Sequence, residues 1–487
     1  MVLSRFILLQ VARETKDLTG RLSQPLIELH GGRQEIDCKK RNRGGSMKVC
    51  IIGAGDAGAI AALQIRRLDR EAEINIFSKR AELGCPPCEM PLVLSGTVGS
   101  WEELSRGLRA KSFYEKRNIN IYLGTEVTDI LRQEKYIVAN GKRHDYDKAV
   151  LALGASSIIP SFSGLDGRNE FSLSTDIADG RTLGDAILRY TSAAIIGGGF
   201  IALEIAAALK ARGYRKVYLL VRRDIMRAHL DEDIAEKLKQ ILVERGVELI
   251  LPARIERISS KNGKKCVILS GRELEIDFIF FGTGAEPNVK LAQKVGLEIG
   301  ETGGIVVNQQ LQTSDPDIYA AGDCMENWDM IIGSKRRHQL ATNAVRTGYI
   351  AGRNAVLGNK ISYGGTVMPF ITKIFDYQVG AVGFTEREAR EKGIETTSTM
   401  VNTPYLREPR GGKPAWYKLI AEHKTQTLIG AQLISEEIVS GTIDKLAVAI
   451  ANRMPLQKLV QIDSCYSPHV QEDQVAVPVQ RLIDALV

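Results

Sequence analysis

Two glycine-rich turns, each entered from a short apolar run and left through a helix, constrain this chain more than any other feature. The first is Lys48–Ile52, then Gly53-Ala54-Gly55-Asp56-Ala57-Gly58, a helical spacing over Ala59–Leu68, and a second apolar run at Ile74–Phe77. The second is Ala193–Ile196, then Gly197-Gly198-Gly199-Phe200-Ile201-Ala202, a predicted helix over Ala202–Lys210, and a run at Val217–Val221. Glycines at Gly53, Gly55 and Gly58 permit a sharp strand-to-helix turn and let the backbone approach a pyrophosphate at a helix N-terminus. Ala202 takes the third position of the second turn, which the wider pattern allows. One such motif alone is a weak signal, but two in register support each other.

Tyr146–Ala155 and Ile276–Ala285 match one another, each ending an apolar strand in a glycine turn at Gly154 and Gly284. They read as the crossings into and out of the second fold. Thr313–Asp323 ends another apolar strand in Gly322 and Asp323, at the edge where ligands of such sheets sit. The predicted architecture is α/β, with two Rossmann-like domains and a C-terminal α+β domain. Its expected divisions are 47–160 and 282–364 for the two parts of the first nucleotide domain, 161–281 for the second, and 365–487 for the C-terminal domain.

Cys85-Pro86-Pro87-Cys88 lies about thirty residues beyond the first turn. A C-x-x-C pair is often half of a zinc site, but no second pair exists. The remaining cysteines, Cys38, Cys50, Cys266, Cys324 and Cys465, are scattered singly, and Cys50 reads as a small buried hydrophobe. A stable structural disulfide is disfavoured where thiols are kept reduced, so redox turnover is the leading reading.

The chain of 487 residues carries +7, but residues 1–46 hold nine Lys/Arg against five Asp/Glu, which leaves +3 for the rest. With no aromatic-interleaved basic stripe, a nucleic-acid partner is not expected. The longest apolar runs fall well short of the roughly 18 residues a membrane span requires. A cytoplasmic protein without a metal is the expectation. Residues 1–46 end in a basic, glycine-containing run, and translation is expected to begin at Met47, the upstream residues being absent from the native protein or a disordered arm.

From about Met47 onward, the paired turns, the paired crossings and the Thr313–Asp323 segment resemble the FAD- and pyridine-nucleotide-dependent disulfide oxidoreductases. Cys88-Glu89-Met90-Pro91-Leu92 resembles the Cys-x-x-Pro-Tyr segment of their single-cysteine branch, which contains coenzyme A disulfide reductases, persulfide reductases and NADH oxidases. The resemblance implies that Gly53, Gly55 and Gly58 face the FAD pyrophosphate and that Gly322 and Asp323 bind its ribityl chain. It places Gly197, Gly199, Ala202 and Gly284 around the nicotinamide nucleotide, with Glu204 near where nicotinamide meets flavin. An ordinary solvated helix carboxylate is the other reading of Glu204.

Cys88 becomes the reactive thiol, near a helix N-terminus beside the flavin, and Cys85 has no counterpart in the branch. Tyr466 matches a tyrosine by which these homodimers reach into the partner's site. His469 follows as a proton donor or a surface residue, and Cys465 as a third redox thiol or a packing residue.

Four positions depart from the family. Ser78 stands where an acidic residue usually holds the FAD ribose. Asp56 stands where oxidase and peroxidase members carry a histidine. Arg222 and Arg223 stand where NADH-specific members carry an acidic residue, so NADPH is the expected nucleotide, with NADH the alternative, unless both are solvated loop charges. The expected reaction is FAD-dependent, NAD(P)H-driven reduction of a small disulfide, persulfide or polysulfide. Oxygen reduction and electron transfer to a protein partner are the alternatives.

Overall fold

The computed structural model describes residues 46–404, 411–465, 467 and 476–486. The expectation for the N-terminal arm therefore falls outside the described residues, as do Tyr466 and His469.

The first sheet has five parallel strands in the order Ile318–Ala320, Lys148–Leu151, Lys48–Ile52, Glu73–Phe77 and Ile119–Tyr122. Its inner strands are apolar almost without interruption because both faces are covered, as parallel sheets require. Helix Asp56–Leu68 covers one face and starts three residues before the predicted position, because extended Gly55 supplies the N-cap. Helix Ala341–Leu357 packs on it at very close range. Gly348 and Gly352 make this possible, since a Cβ on either would collide with the backbone of Ala57 or Ala61.

The second sheet repeats the plan, with parallel strands Glu248–Ile250, Lys216–Leu220, Ser192–Ile196, Phe278–Phe281 and Glu170–Phe171. Its helix runs Phe200–Ala211 from an N-cap at Gly199. Two strands at the predicted crossings, Ala155–Ser157 and Ala285–Pro287, pair antiparallel and tie the nucleotide folds together. Asn288 reinforces the junction by donating to the Leu153 carbonyl at 3.0 Å.

The C-terminal sheet is antiparallel, in the order Phe370–Ile374, Tyr377–Gly383, Thr427–Ser435, Ala415–Glu422 and Thr396–Asn402, with helix Ser440–Ala451 against it. It is fastened to the second fold by buried Lys418, whose ammonium reaches Asp233 at 2.7 Å and Glu386 at 2.6 Å. Gln432 adds a bond to Asp231 at 2.7 Å. Buried charges of this kind hold a unique arrangement when every member is paired.

Among the described residues no helix is long and apolar enough to cross a membrane, and no group of His, Cys, Asp and Glu is placed to hold a metal ion.

Candidate active site

The two thiols of the C-x-x-C segment have opposite environments. Residues 83–86 belong to no regular element, a turn follows at 87–89, and a short helix Met90–Leu94 completes the segment. Its helix is anchored to the second fold by Arg212, which donates to the carbonyls of Leu94 at 2.8 Å and Val93 at 3.1 Å. Cys85 packs into the core shared with that fold, at 1% exposure. Its backbone N–H reaches the Thr175 carbonyl at 3.1 Å, and its thiol donates to Glu89 Oε2 at 3.4 Å. Burial pushes the Cys85 thiol far up, Glu89 adds to this, and Arg109 opposes it.

Cys88, by contrast, is exposed. The surrounding protein nonetheless desolvates its sulfur and pushes its thiol up to about 12, with Glu204, Glu89 and Asp56 adding to the effect. Both are free thiols.

Asp56 opens the first nucleotide-binding helix and Glu204 is the fifth residue of the second, and the charge of each adds to the rise of the Cys88 thiol. The Glu204 carboxyl accepts from Thr372 Oγ of the C-terminal sheet at 2.5 Å, while its Oε2 is buried without a partner. Burial pushes it up to about 7 despite that bond. Since the folded state then keeps its proton longer than the unfolded one, this residue's contribution to stability declines as pH rises from about 4.5 to about 7. Glu204→Gln is expected to remove that component of the pH slope, which urea unfolding at about pH 5 and about pH 8 reads directly.

The residues present fit a flavin dinucleotide at the first turn. Gly53 adopts φ +114°, where a side chain would collide with the Ala152 carbonyl, and the space beyond Gly55 at the helix N-terminus is open. Asp323 Oδ1 is buried and unpartnered at the sheet edge beside Gly322, and burial pushes this carboxyl up to about 6, with Asp56 adding. An orphaned acceptor of this kind is costly unless a ligand hydroxyl meets it. Ser78 is buried after the second strand, and its hydroxyl accepts from the Arg80 N–H at 3.3 Å.

The second turn fits a second nucleotide in the same way. Gly197 has φ +130° and Gly199 faces open space. Ala202 is fully buried, and its methyl is accommodated because Gly282 opposite has no side chain. Gly284, at φ +108° and with only Ile158 Cδ1 near the position of a Cβ, at 3.9 Å, leads into the crossing strand. Arg222 and Arg223 are exposed in the turn after Lys216–Leu220, and neither forms an ion pair among the described residues. Cys465 is exposed.

With this geometry in place, two family descriptions match the chain. Residues 47–348 match the pyridine nucleotide-disulphide oxidoreductase description, and residues 370–477 match that family's dimerisation domain. The chain belongs to the pyridine nucleotide-disulphide oxidoreductases. It is 32% identical over 87% of its length to an NADH oxidase of Methanocaldococcus jannaschii, spanning 95% of that protein. It is 33% identical over 86% of its length to a CoA-dependent NAD(P)H sulfur oxidoreductase of Pyrococcus furiosus, again spanning 95% of it. Among solved structures, a NAD-dependent persulfide reductase from A. fulgidus superimposes with a TM-score of 0.86 at 30% identity, over 90% of this chain and 83% of the other. As a pyridine nucleotide-disulphide oxidoreductase the chain is an NAD(P)H-dependent enzyme, and membership implies FAD as well as a nicotinamide nucleotide.

Sequence reasoning missed Glu89, Arg109 and Thr372. Arg109 lies in no motif, and its partner Asp56 is 53 residues away; Thr372 lies 168 residues from Glu204. A carboxylate within the first five residues of each nucleotide helix, Asp56 and Glu204, is a signal that would have prompted a search for such partners.

Proposed function

We propose that this oxidoreductase uses NADPH and FAD to reduce the sulfur–sulfur bond of a small disulfide, persulfide or polysulfide, with Cys88 as the thiol that meets the acceptor. The observation that carries this reading is an exposed cysteine whose thiol feels carboxylates from both nucleotide-binding helices. The names of the sulfur and persulfide reductases among its relatives agree with it. FAD, when bound against Gly53, Gly55, Gly58, Gly322 and Asp323, supplies two-electron transfer between nicotinamide and sulfur.

The chain's own residues do the rest. The Cys88 thiolate attacks one sulfur of the acceptor, a bond forms to Cys88, the acceptor S–S bond breaks, and the departing thiolate takes a proton. Two electrons from NADPH and a proton then return the mixed disulfide to the Cys88 thiolate and a second small thiol. Glu204 orients the nicotinamide side of the cleft, with Gly197, Gly199, Ala202 and Gly284 around the nucleotide. Cys85 either exchanges with Cys88 in a dithiol cycle or stays outside the chemistry. The enzyme acts in the cytoplasm as a homodimer; exposed Ile438 and Val448 of the C-terminal domain support an apolar contact there, and Tyr466 and His469 serve the partner's site.

Anaerobic turnover with coenzyme A disulfide or polysulfide tests this against oxygen reduction, the second reading, favoured by the NADH oxidase relative. NADPH consumption that requires oxygen and ignores both sulfur acceptors would overturn the proposal. The Arg222→Ala, Arg223→Ala double variant is expected to lower the NADPH-to-NADH ratio of kcat/KM by about 10-fold or more, read by steady-state kinetics with each nucleotide.

A further inference from the structure

Glu204 is met from across a domain junction. It stands four residues after Phe200 on helix Phe200–Ala211, so the two side chains share a helix face. Strand Phe370–Ile374, at the edge of the C-terminal sheet, turns Phe370 and Thr372 to its buried side and Ile371 and Lys373 outward. Helix and strand touch at two points. The Phe200 and Phe370 rings stand edge to face with centroids 4.6 Å apart, and one helical turn on Thr372 Oγ1 donates to Glu204 Oε1 at 2.5 Å. The His229 ring closes the aromatic end, 4.9 Å from each phenylalanine ring. The other carboxyl oxygen, Oε2, is buried without a partner. No cation pairs with Glu204 among the described residues, and the titratable group that feels it from another element is the Cys88 thiol. A buried acceptor left in this way is costly unless a ligand meets it.

We propose that Thr372 is a positioning residue for the nicotinamide: from the C-terminal domain its hydroxyl holds Glu204 Oε1, so that the unpartnered Oε2 is presented to the cationic ring of the oxidised nucleotide. This rests on the reading that the nicotinamide is held beside Glu204. A hydroxyl donating to a carboxyl favours its charged form, and here it opposes the burial that pushes Glu204 up to about 7. The step moves only a proton, from the Glu204 carboxyl to water, as the oxidised nucleotide binds.

The measurement is the affinity of the flavin-loaded enzyme for NADP+, by calorimetry from about pH 5.5 to about pH 9. The parent's affinity is expected to rise with pH through an inflection near neutrality as Glu204 ionises. Thr372→Val removes the donor and keeps the shape, so the inflection moves up by about one unit or more and affinity at neutral pH falls. Thr372→Ser restores the donor and stays near the parent, whereas Glu204→Gln loses the inflection. The 2′-phosphate of NADP+ titrates in the same range, but alike in every variant.

An inflection that Thr372→Val leaves in place, or a loss of affinity equal at every pH, would overturn the proposal, because a merely structural contact weakens the site without moving a titration. Thr372→Ser behaving as Thr372→Val would do the same. Should Thr372→Val fail to fold, Thr372→Ala must show the same upward shift, and its absence overturns the proposal equally. The underlying reading fails on separate ground, by a Glu204→Gln variant that keeps the parent's inflection.

Discussion

Cys88→Ser is expected to lower turnover with a disulfide or persulfide acceptor by on the order of 10³-fold or more, while NADPH still bleaches the bound flavin. A serine hydroxyl neither ionises in the working range nor forms a mixed disulfide. Cys85 cannot stand in for the lost thiol, because it is buried in the core and donates to Glu89. Anaerobic stopped-flow separates the two half-reactions, and the account requires that only the acceptor half is lost. Cys85→Ser then sorts the two routes: a comparable loss indicates a dithiol cycle, and near-parental rates indicate a single-cysteine mechanism.

Gly58→Ala is expected to empty the first nucleotide site. Its Cβ would run into the Gly53 carbonyl oxygen and come within 3.2 Å of Ile51 Cγ2, both on the strand that the helix must cross closely. Neither obstacle is the flexible end of a long side chain, so relief requires the helix to lift away from the sheet. Overpacking of this kind costs about 3 kcal/mol, toward the upper end of its usual range. Flavin absorbance per chain should fall several-fold, and urea unfolding should shift accordingly.

Gly282→Ala tests the same physics at the second turn, where the added methyl would lie 2.7 Å from the Ala202 methyl. It should weaken nicotinamide-nucleotide binding and leave flavin in place. Loss of flavin in this second variant would show that the two sites are not independently built.

What could be read from the residues was the part that local geometry dictates. Gly53 and Gly197 need a backbone conformation that L side chains rarely adopt, so glycine in those turns announces the fold before any long-range contact is known. The crossing strands at Ala155 and Ala285 were legible because the segment repeats. Helix starts were misplaced by two or three residues, since Asp56 and Phe200 were assigned to the turns whose last glycine in fact serves as the N-cap.

The site itself was legible only in its thiols and in the carboxylates at the helix starts. The family resemblance had set Cys88 apart from Cys85 in the sequence, but the physical difference arises from packing: Cys85 is drawn into the core of the second fold while Cys88 is left exposed. Arg109 and Thr372 reach the site from segments with no pattern of their own, brought there by the register of distant elements. No local rule reports such pairs.

An anaerobic NADPH titration of the purified flavoprotein, run in parallel on Cys88→Ser, tests the central claim most directly. The account predicts that the parent, first oxidised with coenzyme A disulfide so that Cys88 carries a mixed disulfide, takes up four electrons, two for its flavin and two for that sulfur bond, with a long-wavelength absorbance from a thiolate beside the flavin, and that the variant treated in the same way takes up two and lacks the band. Two electrons and no band in both proteins, with sulfur reduction intact in the variant, would contradict it.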